Sequence, residues 1–258
     1  MMQKVLKILS WMMIAAWFVV INGFVSGEAE KVLCNSIEVI LADTLSSFIT
    51  RENVYSALEA SEMQMEGYPL SGIDTRRLEK QLEENPYIRN AEISKDISGR
   101  LEVLVEQRMP LVRIMPGGKE GFYLDREGAL LPLSGRYTPH IMLATGSIPY
   151  PGKGNKAEGQ DHGRTGGPLE ELYRFCSYLS EHPFWKGQIV QIYVDPNGEY
   201  ELIPRVGAHQ ILLGSLEEWE KKLRNLELLY RQGLSRYGWN GYETINLKYT
   251  NQVICTKR

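Results

Sequence analysis

Between Asn85 and Ile114, apolar residues recur with a period of two on either side of a polar break. Tyr87, Ile88, Ala91 and Ile93 precede Lys95-Asp96-Ile97-Ser98-Gly99. Beyond it, Leu101, Val103 and Val105 alternate with Glu102, Leu104 and Glu106. Alternation across a Gly-containing break predicts a β-hairpin. Pro110 removes a ladder donor, so the second strand ends or changes partner there. Upstream, Ile37, Val39 and Leu41 alternate as a strand. Thr50 is placed to cap a helix whose Val54 and Leu58, four apart, share one face. A second helix starts near Asp74, with Ser71 and Asp74 in the S-x-x-D relation of a capping box. Its inner stripe is Leu78 and Leu82, and Arg76, Arg77, Glu79, Lys80, Glu83 and Glu84 face solvent. Pro86 disfavours helical geometry at Asn85 and stops the helix. The predicted order is strand, helix, helix, strand, strand.

After residue 108 the pattern is mostly of strands. Leu111, Arg113 and Met115 alternate with Val112 and Ile114 up to the turn Pro116-Gly117-Gly118. Phe122 to Leu124, the turn Asp125-Arg126-Glu127-Gly128 and Ala129 to Pro132 form a hairpin, and His140 to Ala144 a further strand. Residues 150–167 are rich in Gly and polar side chains and predict a flexible insertion. No G-x-x-x-x-G-K-[ST] spacing occurs there, which excludes a phosphate loop. Leu169, Leu172, Phe175, Cys176 and Leu179 recur at helical spacing. Ile189 to Val194 and Tyr200 to Pro204 flank the turn Asp195-Pro196-Asn197-Gly198, and Ile211 to Gly214 is another strand. Leu216 to Tyr237 predicts a long amphipathic helix. Trp219, Leu223, Leu226, Leu229 and Tyr230 lie on its apolar side, and Glu217, Glu218, Lys221, Lys222 and Arg224 on the other. Tyr242 to Cys255 reads as one closing strand.

The N-terminus adds a segment of different character. Lys4 and Lys7 precede an apolar run over residues 8–25, near the lower limit of about 18 residues for a membrane-spanning helix. Acids Glu28 and Glu30 follow, so residues 1–7 are expected in the cytoplasm and the remainder outside. A cleaved signal peptide and a buried core helix are the competing readings. The first requires an unusually long apolar region, and the second a polar face that the run lacks.

Composition narrows the chemistry. The net charge of −3 gives no basic footprint for nucleic acid. Cys34, Cys176 and Cys255 are widely spaced and form no CxxC pair, which argues against a zinc or thioredoxin-type site and leaves free thiols or at most one bridge. His140, His162, His182 and His209 stand in no metal-ligand spacing, and no G-x-S-x-G elbow is present. No cofactor, metal or small-molecule substrate is expected, and a binding protein is favoured over an enzyme.

The segment "Asn-Pro, aromatic, Ile, two polar, Ala-Glu-Ile, polar turn, Leu-x-Val-x-Val-x-Glu-x-x-Pro-Leu-Val" resembles the end of a POTRA domain in the bacterial cell-division family FtsQ/DivIB. The strand-helix-helix-strand-strand order is that of a POTRA domain. Tyr123-Leu124-Asp125 with Gly128 is similar to the family's "Tyr-Leu-Val-Asp-x-x-Gly". INLKYTNQVICTKR resembles its last strand, with Asn246 in place of an acid and Lys248 in place of the arginine of "Asp-Leu-Arg-Tyr".

The resemblance implies an α+β chain. It begins with an N-terminal transmembrane helix (8–25) after a cytoplasmic tail (1–7). A small POTRA-type domain (26–108) with two helices on a three-stranded sheet follows. A larger mixed β domain with flanking helices (109–258), interrupted by the insertion 150–167, completes it. It further implies a non-catalytic, single-pass scaffold of the bacterial inner membrane at the division septum, its bulk in the periplasm. Such a scaffold holds FtsB- and FtsL-type partners and helps regulate septal wall synthesis. A terminal strand with a free edge can accept a partner strand, which points to Asn246, Lys248, Tyr249, Asn251 and Val253 as the binding residues. Tyr249 could equally be a core aromatic. The alternatives are a secreted or anchored POTRA protein of outer-membrane assembly and an envelope enzyme.

Overall fold

The computed structural model describes residues 11–14, 16–17, 32–42, 48–60, 65–118, 120–149, 168–234, 238–249 and 251–258. The expected membrane span 8–25 falls largely outside them; residues 11–14 and 16–17 are helical, with Trp11, Met12, Met13, Ile14 and Trp17 exposed. Among the described residues no helix is long and apolar enough to cross a membrane. The expected insertion 150–167 lies outside the described residues. The chain divides into two compact units between Gln107 and Arg108.

The first unit contains β1 (Ser36–Leu41), α1 (Arg51–Glu59), α2 (Thr75–Glu83), β2 (Ile88–Lys95) and β3 (Arg100–Gln107). Its sheet runs β1-β3-β2, with β1 parallel and β2 antiparallel to β3. The alternation of β3 has the expected result: Leu101, Val103 and Val105 are fully buried, and Val54, Leu58, Leu78 and Leu82 of the helices are buried with them. Thr50 caps α1 through a reciprocal box with Asn53. The cap of α2 differs from expectation. Asp74 accepts from the Arg77 N–H at 3.2 Å, while Ser71 belongs to a preceding turn of 3-10 helix. Gly99 closes the β2–β3 turn at φ +90°, and a Cβ there would lie 2.5 Å from the Leu33 carbonyl, so both conformation and space demand glycine.

The second unit is one nine-stranded mixed sheet. Its strands are β4 (Pro110–Pro116), β5 (Phe122–Asp125), β6 (Leu130–Pro132), β7 (Met142–Gly146), β8 (Ile189–Val194), β9 (Tyr200–Pro204), β10 (Gln210–Gly214), β11 (Tyr242–Asn246) and β12 (Ile254–Lys257). They are ordered β12-β11-β10-β9-β8-β7-β4-β5-β6. Three neighbouring pairs are parallel: β4 with β7, β7 with β8 and β10 with β11. Parallel neighbours need a crossover. α3 (Pro168–Glu181) lies between β7 and β8 in the chain, and α4 (Trp219–Leu228) between β10 and β11.

The two helices touch. Trp219 packs edge-on against Phe175 at 5.4 Å and Tyr178 at 4.5 Å between ring centroids. Phe175, Cys176, Leu179, Leu223 and Leu226 are fully buried in one core with Val112, Ile192, Leu202, Ile211 and Ile245. Burial pushes the Cys176 thiol well above its ordinary range, as suits a small core residue, and all three cysteines are unpaired. The long helix expected over 216–237 is shorter. It becomes a π-helical turn at Leu229–Leu234, and 235–237 are outside the described residues. Lys222, expected on the solvent face, is buried, with its ammonium donating to the carbonyls of Leu213 at 3.1 Å and Ser215 at 2.7 Å.

Candidate functional site

A sheet can take up a foreign strand only at an edge whose backbone groups are free, and proteins blunt such edges when they are not used. The edges here are treated unequally. In the first unit, β2 is covered by its own helix: Glu83 accepts from the Ala91 N–H at 3.3 Å and Glu79 from the Ile93 N–H at 2.8 Å. These two carboxylates, four apart on α2, lie on the expected solvent face, Glu83 exposed and Glu79 partly so, and in addition cap a strand. The opposite edge, β1, borders an open cleft toward Arg51 and Tyr55, and the Tyr55 hydroxyl donates to the Ile37 carbonyl at 3.0 Å. In the second unit, β6 is three residues long and ends in Pro132, which cannot donate to a further strand. The remaining edge is β12.

The segment expected to be one strand from Tyr242 to Cys255 is a hairpin of two. β11 pairs in parallel with β10, and β12 pairs antiparallel with β11, with Ile245 opposite Cys255 and Asn246 opposite Ile254. The break includes Lys248, Tyr249 and Asn251, of which Asn251 carries the turn signal. The β-branched Val253-Ile254 that follows restarts the strand.

The nominated residues are distributed around this turn. Asn246 lies in β11, an inner strand, and its side-chain oxygen accepts from the Lys248 N–H at 2.9 Å. Lys248 lays its stem against Gly214 and pairs its ammonium with Glu199, which raises its pKa. Leu247, between them, is buried and donates its N–H to the Leu212 carbonyl at 2.8 Å. Tyr249 is 57 % exposed, so the core reading of this tyrosine does not hold. Asn251 is exposed and Val253 half-buried against the core. Ile254, 44 % exposed on the edge strand itself, was not nominated; its β-branched neighbour Val253 was the available signal. The turn and edge therefore combine an exposed aromatic, an exposed aliphatic and a strand left uncovered among the described residues. Among the described residues no group of three His, Cys, Asp or Glu side chains is disposed to hold a metal.

Comparison with known proteins adds to this geometry. The family model described as FtsQ/DivIB, C-terminal related, matches residues 109–256, and a POTRA-like domain model matches residues 32–106. A curated relative, the cell division protein FtsQ of Rhodothermus marinus, is 25% identical over 195 residues, which cover 73% of this chain and 67% of the relative.

Proposed function

The chain belongs to the FtsQ/DivIB C-terminal related family, and from that premise we propose that it is a membrane-anchored, non-catalytic scaffold of cell division that captures a partner strand at β12. The division role is supported by the family and by the relative named a cell division protein. Anchoring through residues 8–25, an extracytoplasmic bulk at the septum and a contribution to the control of septal wall synthesis complete the reading. FtsB- and FtsL-type single-pass proteins are its partners. The observation that carries it is the end strand β12 of a nine-stranded sheet, uncovered among the described residues, with exposed Tyr249 in the preceding turn and exposed Ile254 on the strand itself. Main-chain hydrogen bonds would supply affinity there, and the two side chains specificity.

The experiment is co-purification of these partners with the full chain and with a twin ending at Gln252. The twin keeps β11, whose Ile245 and the following Leu247 are buried in the core, but loses Val253 and Cys255, which pack against it, so its fold is checked by a melting curve. Capture by the parent that is lost in a folded twin supports the proposal. Equal capture by both moves the interface away from β12.

A further inference from the structure

The second unit also holds a cleft of about 470 Å3, set at the starting ends of the parallel strands β4, β7 and β8. Its floor is apolar: Leu111, Leu179 and Trp185 are buried beneath it and Met142 is half-buried. Its rim is basic. Arg126 comes from the turn after β5, Lys186 from the loop after α3 and Arg205 from the turn after β9, with His140 adding a further polar group before β7. All four are exposed, and among the described residues no carboxylate lines the cleft.

Among the exposed cations elsewhere in this unit, four pair with acids, Arg174 with Glu170, Lys221 with Glu218, Arg231 with Glu227 and Lys248 with Glu199, while Arg224 and Lys257 stand apart on the surface with no ion pair among the described residues. Among the described residues, the side chains of Arg126, Lys186 and Arg205 have no ion pair or hydrogen bond. Like charges gathered around an apolar floor repel one another, and an acidic ligand relieves that repulsion as it binds.

We propose that this cleft docks an acidic peptide segment of a partner protein, with carboxylates on Arg126, Lys186 and Arg205 and an apolar side chain on the Trp185 floor. The charges come from three separate segments, which suits carboxylates spaced along a chain. A single compact phosphate would meet the charge but leave the floor uncovered. Arginine is suited to the role because its planar fork takes a carboxylate through two parallel hydrogen bonds. None of these residues lies in β11 or β12, so the cleft and the C-terminal edge are separate surfaces.

The test is fluorescence anisotropy of the full chain in detergent micelles. The probe is a short labelled peptide alternating Asp and Glu with Leu and Trp. Its twin carries Lys in place of every acid. The expected result is saturable binding of the acidic peptide, weakened by salt, and none of the basic twin. Arg126→Glu combined with Arg205→Glu should lower affinity at least about tenfold, while Arg174→Glu, at a paired and exposed position, leaves it unchanged. Should the double reversal fail to fold, Arg126→Gln and Arg205→Gln taken singly read the same loss. Binding of both peptides alike, unchanged affinity in folded rim variants, or displacement of the peptide by inorganic phosphate or phosphatidylglycerol vesicles at matched charge overturns the proposal.

Discussion

Arg108 Nη1 lies 2.9 Å from Asp125 Oδ2, and the two side chains are only 8% and 2% exposed. The other oxygen of Asp125 accepts from the N–H groups of Glu127 at 2.9 Å and Ala129 at 2.7 Å. One carboxylate therefore shapes the β5–β6 turn and holds the first residue of the second unit. The aspartate that sequence reading assigned to a turn is also half of a buried ion pair.

Breaking such a pair strands a buried charge, so Arg108→Leu is expected to cost about 3–5 kcal/mol of stability. Asp125→Ala should cost at least as much, since it also leaves two N–H donors without their acceptor. Combining Arg108→Leu with Asp125→Asn should recover part of the loss, because no charge is left unpaired and the amide oxygen can still accept from the turn. Urea denaturation of the three variants measures this. A loss below about 1 kcal/mol for Arg108→Leu alone would mean that the pair is not a determinant of the unit's stability.

Glu79 and Glu83 cap β2 from outside the sheet. Replacing each by Ala should cost about 1 kcal/mol, the usual net value of one hydrogen bond. It also uncovers a strand edge, so self-association should rise with concentration. Light scattering beside thermal melting separates the two effects. Loss of stability with no added association would mean that other groups keep this edge closed.

How far the sequence could be read follows from the range of each signal. The inward set of β3 was legible because alternation is local and Leu101, Val103 and Val105 all obey it. The Thr50 cap is legible for the same reason, while Asn53 as its partner departs from the Glu or Gln usual at that position. The parallel pairing of β10 with β11 was not, since no local pattern encodes which strands become neighbours across a helix. Lys222 falls on the polar side by residue type, yet carbonyls that follow from the end of β10 make its burial tolerable. In the candidate site, the strand propensity of Tyr242 to Cys255 was visible. The hairpin in it is not legible, because no Gly or Pro marks the break between Leu247 and Val253, and with it the edge position of Ile254 is hidden.

His209 and Tyr230 form a buried pair, Nε2 to Oη at 2.8 Å with the rings edge to face. Burial, the larger cause, holds the imidazole below its ordinary range, against an opposing influence of the Trp239 backbone. A lowered pKa in the folded state means that the unfolded chain binds the proton first. Stability is therefore full above about pH 6.5 and falls as pH drops below it toward the folded value, by up to about 1.4 kcal/mol per pH unit. His209→Gln should flatten this slope between pH 6.5 and 5 whatever it does to stability at pH 8. Melting temperatures across that range check it, and an unchanged slope in the variant would assign the pH dependence to other groups.

Tyr249 and Val253 stand four residues apart on the same turn, and the structure assigns them opposite sensitivities. Tyr249 is 57 % exposed, and Ile254 on the edge strand 44 %. A charge at either position meets solvent in the isolated chain, so Tyr249→Glu and Ile254→Glu should change folding stability by no more than about 0.5 kcal/mol. Val253 packs against the core, and Val253→Asp should cost more, because its carboxylate would be partly desolvated with no partner. If β12 is the docking edge, the two exposed substitutions abolish partner capture while melting stays cooperative and near the parent temperature. Lys248→Ala should then have only a small effect, since its pair with Glu199 is exposed and such pairs contribute at most about 1 kcal/mol. Co-purification read beside a melting curve separates a lost contact from a lost fold. Retained capture by a folded Tyr249→Glu, Ile254→Glu double variant would show that this turn and edge do not touch the partner.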